Sequence, residues 1–123
     1  MPDIDLDVWL YGTLAKYGGE TQQVSFANLR ISLPDGSTMA DLLAYLRIDT
    51  AERGITFING QLSAMPGLQP DLGHILGNGD RVGLFDLNSM WPFQYRHGVA
   101  MTDEMNRAMV AGKDQGLHHT YNK

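Results

Sequence analysis

The stretch from Ile55 to Leu87 constrains the fold of this chain more than any other segment. Two short runs rich in apolar and β-branched residues, 55–58 and 81–85, are typical of strands. The first run is followed by Asn59-Gly60, and the second is preceded by Asn78-Gly79-Asp80. Gly accepts a positive φ without steric cost and Asn tolerates it better than most residues, so each Asn-Gly predicts a sharp turn. The segment therefore predicts two strands bounded by tight turns, the first of them a central strand buried on both faces.

Two further strands and one helix are predicted ahead of this segment. The run from Ile4 to Leu10 alternates between apolar and polar residues, and the run from Asn28 to Pro34 does the same until proline ends it. We expect these two strands to pair antiparallel. Thr38 and Asp41 match a capping box at the start of a helix. The apolar residues of this helix recur at helical spacing: Met39, Leu42, Leu43 and Leu46.

The resulting order is strand, strand, helix, strand, strand. With an Asn-Gly after the third strand and a Gly-Asp before the last, it resembles the β-grasp, ubiquitin-like sulfur carriers of the MoaD and ThiS type. The resemblance implies an α+β fold over residues 1–88, with one helix packed across a mixed sheet of four to five strands. Residues on the apolar side of each element are expected to form the core: Leu10, Leu33, Leu43, Leu46, Ile58 and Leu84.

The end of the last predicted strand departs from the family pattern. In the sulfur carriers that strand runs into a C-terminal Gly-Gly, which is adenylated and converted to a thiocarboxylate. Here Met90-Trp91 stand in that position, and side chains of this size would not thread into an activating enzyme. We therefore expect a non-catalytic protein that acts through protein–protein contacts, as an accessory subunit of a larger enzyme or as a self-associating module. The alternative is a sulfur-carrier precursor trimmed at Gly98, whose partner would be an adenylating enzyme.

Residues 89–123 are predicted to form a C-terminal extension with an aromatic arm, a short helix and a frayed tail. The arm packs three aromatic residues and a Met into residues 90–98; such residues mark a partner surface if exposed, or extend the core if they fold back. Thr102 is expected to cap a helix that ends near Ala111 and has a Met face. The candidate contact residues are Met90, Trp91, Phe93, Tyr95, Met101, Met105 and Met109.

Composition argues against several classes of protein. The chain has no cysteine, which excludes disulfide frameworks, thiolate metal sites and thiol catalysis. A net charge of -5 with nine scattered basic residues argues against nucleic-acid binding, because phosphate neutralisation needs clustered Lys and Arg. The four histidines lack the preorganised spacing of metal ligands, so neither a metal nor a cofactor is expected.

The remaining expectations concern location and the charged strand face. No apolar run approaches the roughly twenty residues of a membrane helix, and residues 1–5 do not resemble a signal peptide. A cytoplasmic protein that does not bind membranes is therefore expected. Three aspartates alternate on the polar side of the first strand and are expected to solvate that side: Asp3, Asp5 and Asp7.

Overall fold

The computed structural model describes residues 3–21, 26–87 and 100–111. The elements are β1 (Asp3–Tyr11), β2 (Phe26–Pro34), α1 (Met39–Leu46), β3 (Arg53–Ile58), β4 (Gln61–Ala64) and β5 (Arg81–Asp86), with 3-10 helices at Gly12–Thr21 and Pro70–Gly73. The five strands form one mixed sheet, which carries α1 on one face. The spatial order of the strands is β2-β1-β5-β3-β4, in which β1 and β5 are parallel and the other neighbouring pairs are antiparallel. This is the predicted α+β, β-grasp-like arrangement.

Strand β1 has the alternation that the sequence predicts. Its even-numbered residues point toward α1 and are buried, whereas Asp3 and Asp5 on the other face are exposed. It pairs antiparallel with β2 along its whole length, from Asp3 opposite Pro34 to Tyr11 opposite Phe26. A register shift by one residue would exchange the two faces, so the buried side fixes the pairing. The antiparallel pair is confirmed.

Helix α1 begins with the predicted capping box. The Asp41 backbone N–H donates to Thr38 Oγ1 at 3.3 Å, and the Thr38 backbone N–H donates to Asp41 Oδ2 at 2.9 Å. The helix ends at Arg47, which has a left-handed φ of 61°. A helix this short does not persist alone in water, so its packing on the sheet holds it in place. The predicted core is confirmed, because each of its members is 8% exposed or less: Leu10, Leu33, Leu43, Leu46, Ile58 and Leu84.

The predicted turns are present. Asn59 and Gly60 both have positive φ, at 52° and 80°, as an Asn-Gly turn requires. Asp80 stabilises the turn before the last strand, because its carboxylate accepts from the Gly77 backbone N–H at 2.8 Å and from Asn59 Nδ2 at 2.9 Å. The side chain of Asp80 therefore ties the turn before β5 to the turn after β3.

The structure corrects two expectations in the second half of the sheet. Strand β4 was not predicted; it pairs antiparallel with β3 and forms one edge of the sheet. The prediction that the central strand is buried on both faces is wrong, because Ile55 and Phe57, which point away from α1, are only half-buried. A helical turn follows at Pro70–Gly73; of the apolar residues around it, Leu76 is buried and Leu72 packs against the core, whereas Ile75 is 65% exposed.

The residues that lead into the C-terminal helix, α2 (residues 103–111), pair with the edge of β4. The Leu62 backbone N–H donates to the Ala100 carbonyl at 2.8 Å, and the Thr102 backbone N–H donates to the Leu62 carbonyl at 3.0 Å. Thr102 Oγ1 accepts from the Met105 backbone N–H at 3.2 Å, which confirms the predicted helix cap. Residues 100–102 therefore cover part of an edge that strand β4 would otherwise leave unpaired.

Candidate functional site

The face of the sheet opposite α1 carries several aromatic side chains, which we call the aromatic face. Alternate residues of a strand point to the same side, and the residues that oppose the buried set in β1, β3 and β5 include four aromatic ones. Strand β2 contributes one more ring at its start, opposite Tyr11. All of these side chains are half-buried. The aromatic face consists of Trp9, Tyr11, Phe26, Phe57 and Phe85.

The rings of the aromatic face pack against one another. Tyr11 and Phe85 are stacked, with centroids 4.5 Å apart and planes within 14°. Trp9 stacks on Phe26 at 5.9 Å, and Phe57 meets Phe85 edge-on at 6.1 Å and 75°. Both arrangements are the ones that aromatic quadrupoles favour. Because each ring is held by a neighbour, the surface is ordered before anything binds to it.

A notch interrupts this aromatic face at Gly83. In the pairing register Gly83 lies between Trp9 on β1 and Phe57 on β3, so a position that could hold a side chain is empty between two rings. The resulting cavity has a volume of about 300 Å³. We call it the Gly83 notch. Its lining residues are Trp9, Tyr11, Phe57, Gly60, Arg81, Gly83 and Phe85.

A charged pair lies at one end of the Gly83 notch. Arg81 Nε is 3.4 Å from Asp7 Oδ2, and the Arg81 side chain is 70% exposed. Asn28 Nδ2 donates to Asp7 Oδ1 at 2.7 Å. This hydrogen bond is the largest influence that holds the pKa of Asp7 below its ordinary value; partial burial opposes it, and Arg81 adds to it. Asp7 is therefore ionised at neutral pH.

At the other end of the notch, desolvation raises the pKa of the Tyr11 phenol above its ordinary value. Tyr11 is therefore protonated and uncharged across the physiological range, and its ring acts as part of the apolar wall. The notch thus combines aromatic walls with an exposed cation, Arg81, whose contact with Asp7 is 3.4 Å long. Such a site suits recognition of an apolar group next to a negative charge.

The predicted contact residues that the structure describes differ in how far they are exposed. Met105 is completely buried and packs within the chain, whereas Met101 is half-buried and Met109 is 39% exposed. The rest of the predicted contact set and the proposed trimming position lie outside the described residues: Met90, Trp91, Phe93, Tyr95 and Gly98. Their roles stay predictions.

Outside the notch, a polar contact joins α2 to the segment that follows the 3-10 helix at Pro70–Gly73. His74 Nδ1 lies 3.1 Å from Glu104 Oε2. Partial burial alone would raise the pKa of the Glu104 carboxyl, but the hydrogen bonds from His74 and from the start of α2 together hold it below its ordinary value. Within residues 3–21, 26–87 and 100–111, no group of three or more His, Asp or Glu side chains could hold a metal ion.

Sequence reasoning sought the contact surface in the C-terminal extension and missed the aromatic face. The signal was present in the alternation of β1, where Trp9 and Tyr11 occupy positions on the polar side of the strand. Phe57 and Phe85 likewise occupy the outward positions of their strands. Large aromatic residues at outward strand positions indicate a surface that is covered by something else. The notch itself depends on strand register and could not be read from the sequence.

Comparisons with known proteins add no family to this description. No protein-family model matches the chain, and no curated protein sequence is significantly similar to it. Among the described residues, no helix is both long and apolar enough to cross a membrane.

Proposed function

We propose that this chain is a non-catalytic MoaD/ThiS-like protein that acts through protein–protein contacts, either as an accessory subunit of a larger enzyme or as a self-associating module. The observation that carries the proposal is the aromatic face. Aromatic residues are enriched in protein interfaces, where they supply large contact area at low entropic cost. The MoaD/ThiS-like part of the proposal is supported by the order of the elements and by the Asn-Gly and Gly-Asp turns.

The aromatic face leaves apolar surface that a partner would bury. Burial of apolar surface is favourable by about 25 cal/mol per Å², and the rings of the aromatic face are only half-buried. The stacking of these rings already restricts their rotamers, so a partner that covers them loses little side-chain entropy. A preorganised and partly exposed aromatic surface therefore favours association.

The test places a charge on the aromatic face. Trp9→Lys should abolish self-association in sedimentation velocity, or remove the partner that copurifies with the full chain from its native host and is identified by mass spectrometry. The matched control is Tyr45→Lys, because Tyr45 is a 61% exposed aromatic residue on α1, on the other side of the molecule. Circular dichroism should show that both variants are folded.

Two results would contradict the proposal. The first is a full chain that is monomeric at all concentrations and copurifies with no stoichiometric partner. The second is a complex that the Trp9→Lys and Tyr45→Lys variants affect equally. Loss of the complex in the Trp9→Lys variant alone is the result that we expect.

A further inference from the structure

We propose that the Gly83 notch is the anchor site for a protein partner: it takes one aromatic or long aliphatic side chain from an extended segment, while a carboxylate two positions along that segment binds Arg81. This inference rests on the proposed function and adds the chemistry of the partner. It follows from three observations, namely the position of Gly83 between two rings, the size of the cavity, and the exposure of the arginine.

The width of the notch suits one side chain. Gly83 lies directly between Trp9 and Phe57 on neighbouring strands. Adjacent strands are about 4.8 Å apart, so the backbones that carry the two rings are separated by about 10 Å. The missing side chain at Gly83 leaves room for a single aromatic or aliphatic group between them. Anchors of this type, inserted into a pocket at the centre of an interface, carry much of the binding energy in protein complexes.

The size of the notch favours a side chain over a free cofactor. Its volume of about 300 Å³ is at the lower limit of pockets that enclose whole small molecules. The floor is the backbone of Gly83, and the walls belong to strands of one rigid sheet. A protein partner that covers the surrounding rings of the aromatic face would also exclude water from the notch. A small molecule bound in the notch would leave those rings exposed.

Arg81 sets the charge of the partner. Arg81 and Gly83 are two residues apart on β5 and point to the same side, so they are separated by about 6.6 Å along the strand. An extended partner segment has the same repeat, and its anchor side chain and a carboxylate two positions away would reach the notch and Arg81 together. The contact between Arg81 and Asp7 is made through Nε at 3.4 Å, and the planar guanidinium can take a second carboxylate.

The test uses the full chain labelled with nitrogen-15 and a probe peptide, acetyl-Gly-Phe-Ser-Asp-Gly-amide. Titration should shift the Gly83 amide and Trp9 indole signals. Replacing Asp by Asn in the peptide should weaken binding about twofold to fivefold, the range for an exposed ion pair. Replacing Phe by Ala should abolish the shifts, and the Arg81→Gln variant should bind the Asp and Asn peptides equally.

A variant whose notch is filled by a side chain at position 83 tests whether the peptide binds in the notch. A Cβ added at Gly83 would lie 3.7 Å from Tyr11 Cε2, an ordinary van der Waals contact, so the backbone has room for a β-carbon, and circular dichroism checks that the Gly83→Val variant is folded. Valine also suits a strand, and its side chain would occupy the space between the two rings. This variant should lose peptide binding. Ser32→Val is the matched control, because Ser32 is exposed on the same face of the sheet, on edge strand β2.

Several outcomes would overturn this inference. The first is that no peptide shifts the Gly83 amide and Trp9 indole signals. The second is that the parent chain binds the Asp and Asn peptides equally. The third is that the Gly83→Val variant binds the peptide as tightly as the parent chain does. Phenylacetate binding as tightly as the peptide would instead assign the notch to a small aromatic acid. If the same signals shift when the chain alone is concentrated, the occupant of the notch is a second copy of the chain. The proposed function would survive each of these results, since it is tested by the Trp9→Lys variant.

Discussion

Arg53 and Asp71 form a bidentate ion pair that is completely buried. Arg53 Nη1 lies 2.7 Å from Asp71 Oδ2, Nη2 lies 2.8 Å from Oδ1, and both side chains are 0% exposed. Ser63 Oγ donates to the same carboxylate at 2.9 Å, and Gln69 Oε1 accepts from the guanidinium at 2.7 Å. The network joins the start of β3 to the 3-10 helix at Pro70–Gly73. It thus holds an irregular segment that has little regular backbone pairing of its own.

Removal of one partner of this buried pair should be strongly destabilising. Asp71→Ala leaves a buried guanidinium without its counter-charge, which costs about 3–5 kcal/mol in comparable pairs. Urea denaturation measures the change in the free energy of unfolding. The matched control is Lys16→Ala, which breaks the exposed pair with Glu52 and should change the free energy of unfolding much less, because solvent screens an exposed pair. Equal effects of the two substitutions would show that the buried pair is not a structural tie.

The core between α1 and the sheet should be sensitive to cavity formation. Leu43 is 2% exposed and belongs to the main hydrophobic cluster. Leu43→Ala should therefore lower the free energy of unfolding by about 2–5 kcal/mol. Tyr45→Ala, on the exposed side of the same helix, should change it much less. A Leu43→Ala variant with the urea midpoint of the parent chain is incompatible with this packing.

The contact between His74 and Glu104 should make the attachment of α2 dependent on pH. The pKa of Glu104 is lower in the folded chain than its ordinary value of 4.5, so its contribution to stability is present above pH 4.5 and is lost as the pH falls through the folded-state pKa. Thermal unfolding across acidic pH should show the parent and Glu104→Gln converging toward low pH. On a His74→Gln background the same substitution should have a smaller effect. Parallel curves at every pH would contradict this coupling.

The sequence predicts the elements that depend on local pattern. The alternation of β1, the capping box at Thr38 and the Asn59-Gly60 turn are all set by residues close together in the chain. The features that sequence reasoning missed depend on distant pairs. Arg53 is buried because Asp71 meets it from another segment, and the notch exists because register places Gly83 between two rings. Neither relationship leaves a periodic signal.

Removal of residues 90–123 should separate folding from association. The main hydrophobic cluster is formed by residues 4–84, so we expect the truncated chain to keep its fold. It should lose the dimer or the partner complex, because the predicted contact residues of the extension are gone. Light scattering and a pull-down with the identified partner measure this. Identical behaviour of the truncated and full chains would show that the extension takes no part in association.

Site-specific photo-cross-linking tests most directly the claim that the aromatic face is an interaction surface. Benzoylphenylalanine would replace Phe85 on that face or, as the control, Tyr45 on α1, in the full chain expressed in its native host. The ring at position 85 keeps its aromatic neighbours, so the fold should be preserved. We predict one discrete cross-linked species from position 85 and none from position 45. The same pattern from both positions, or no cross-link from position 85, would contradict the account.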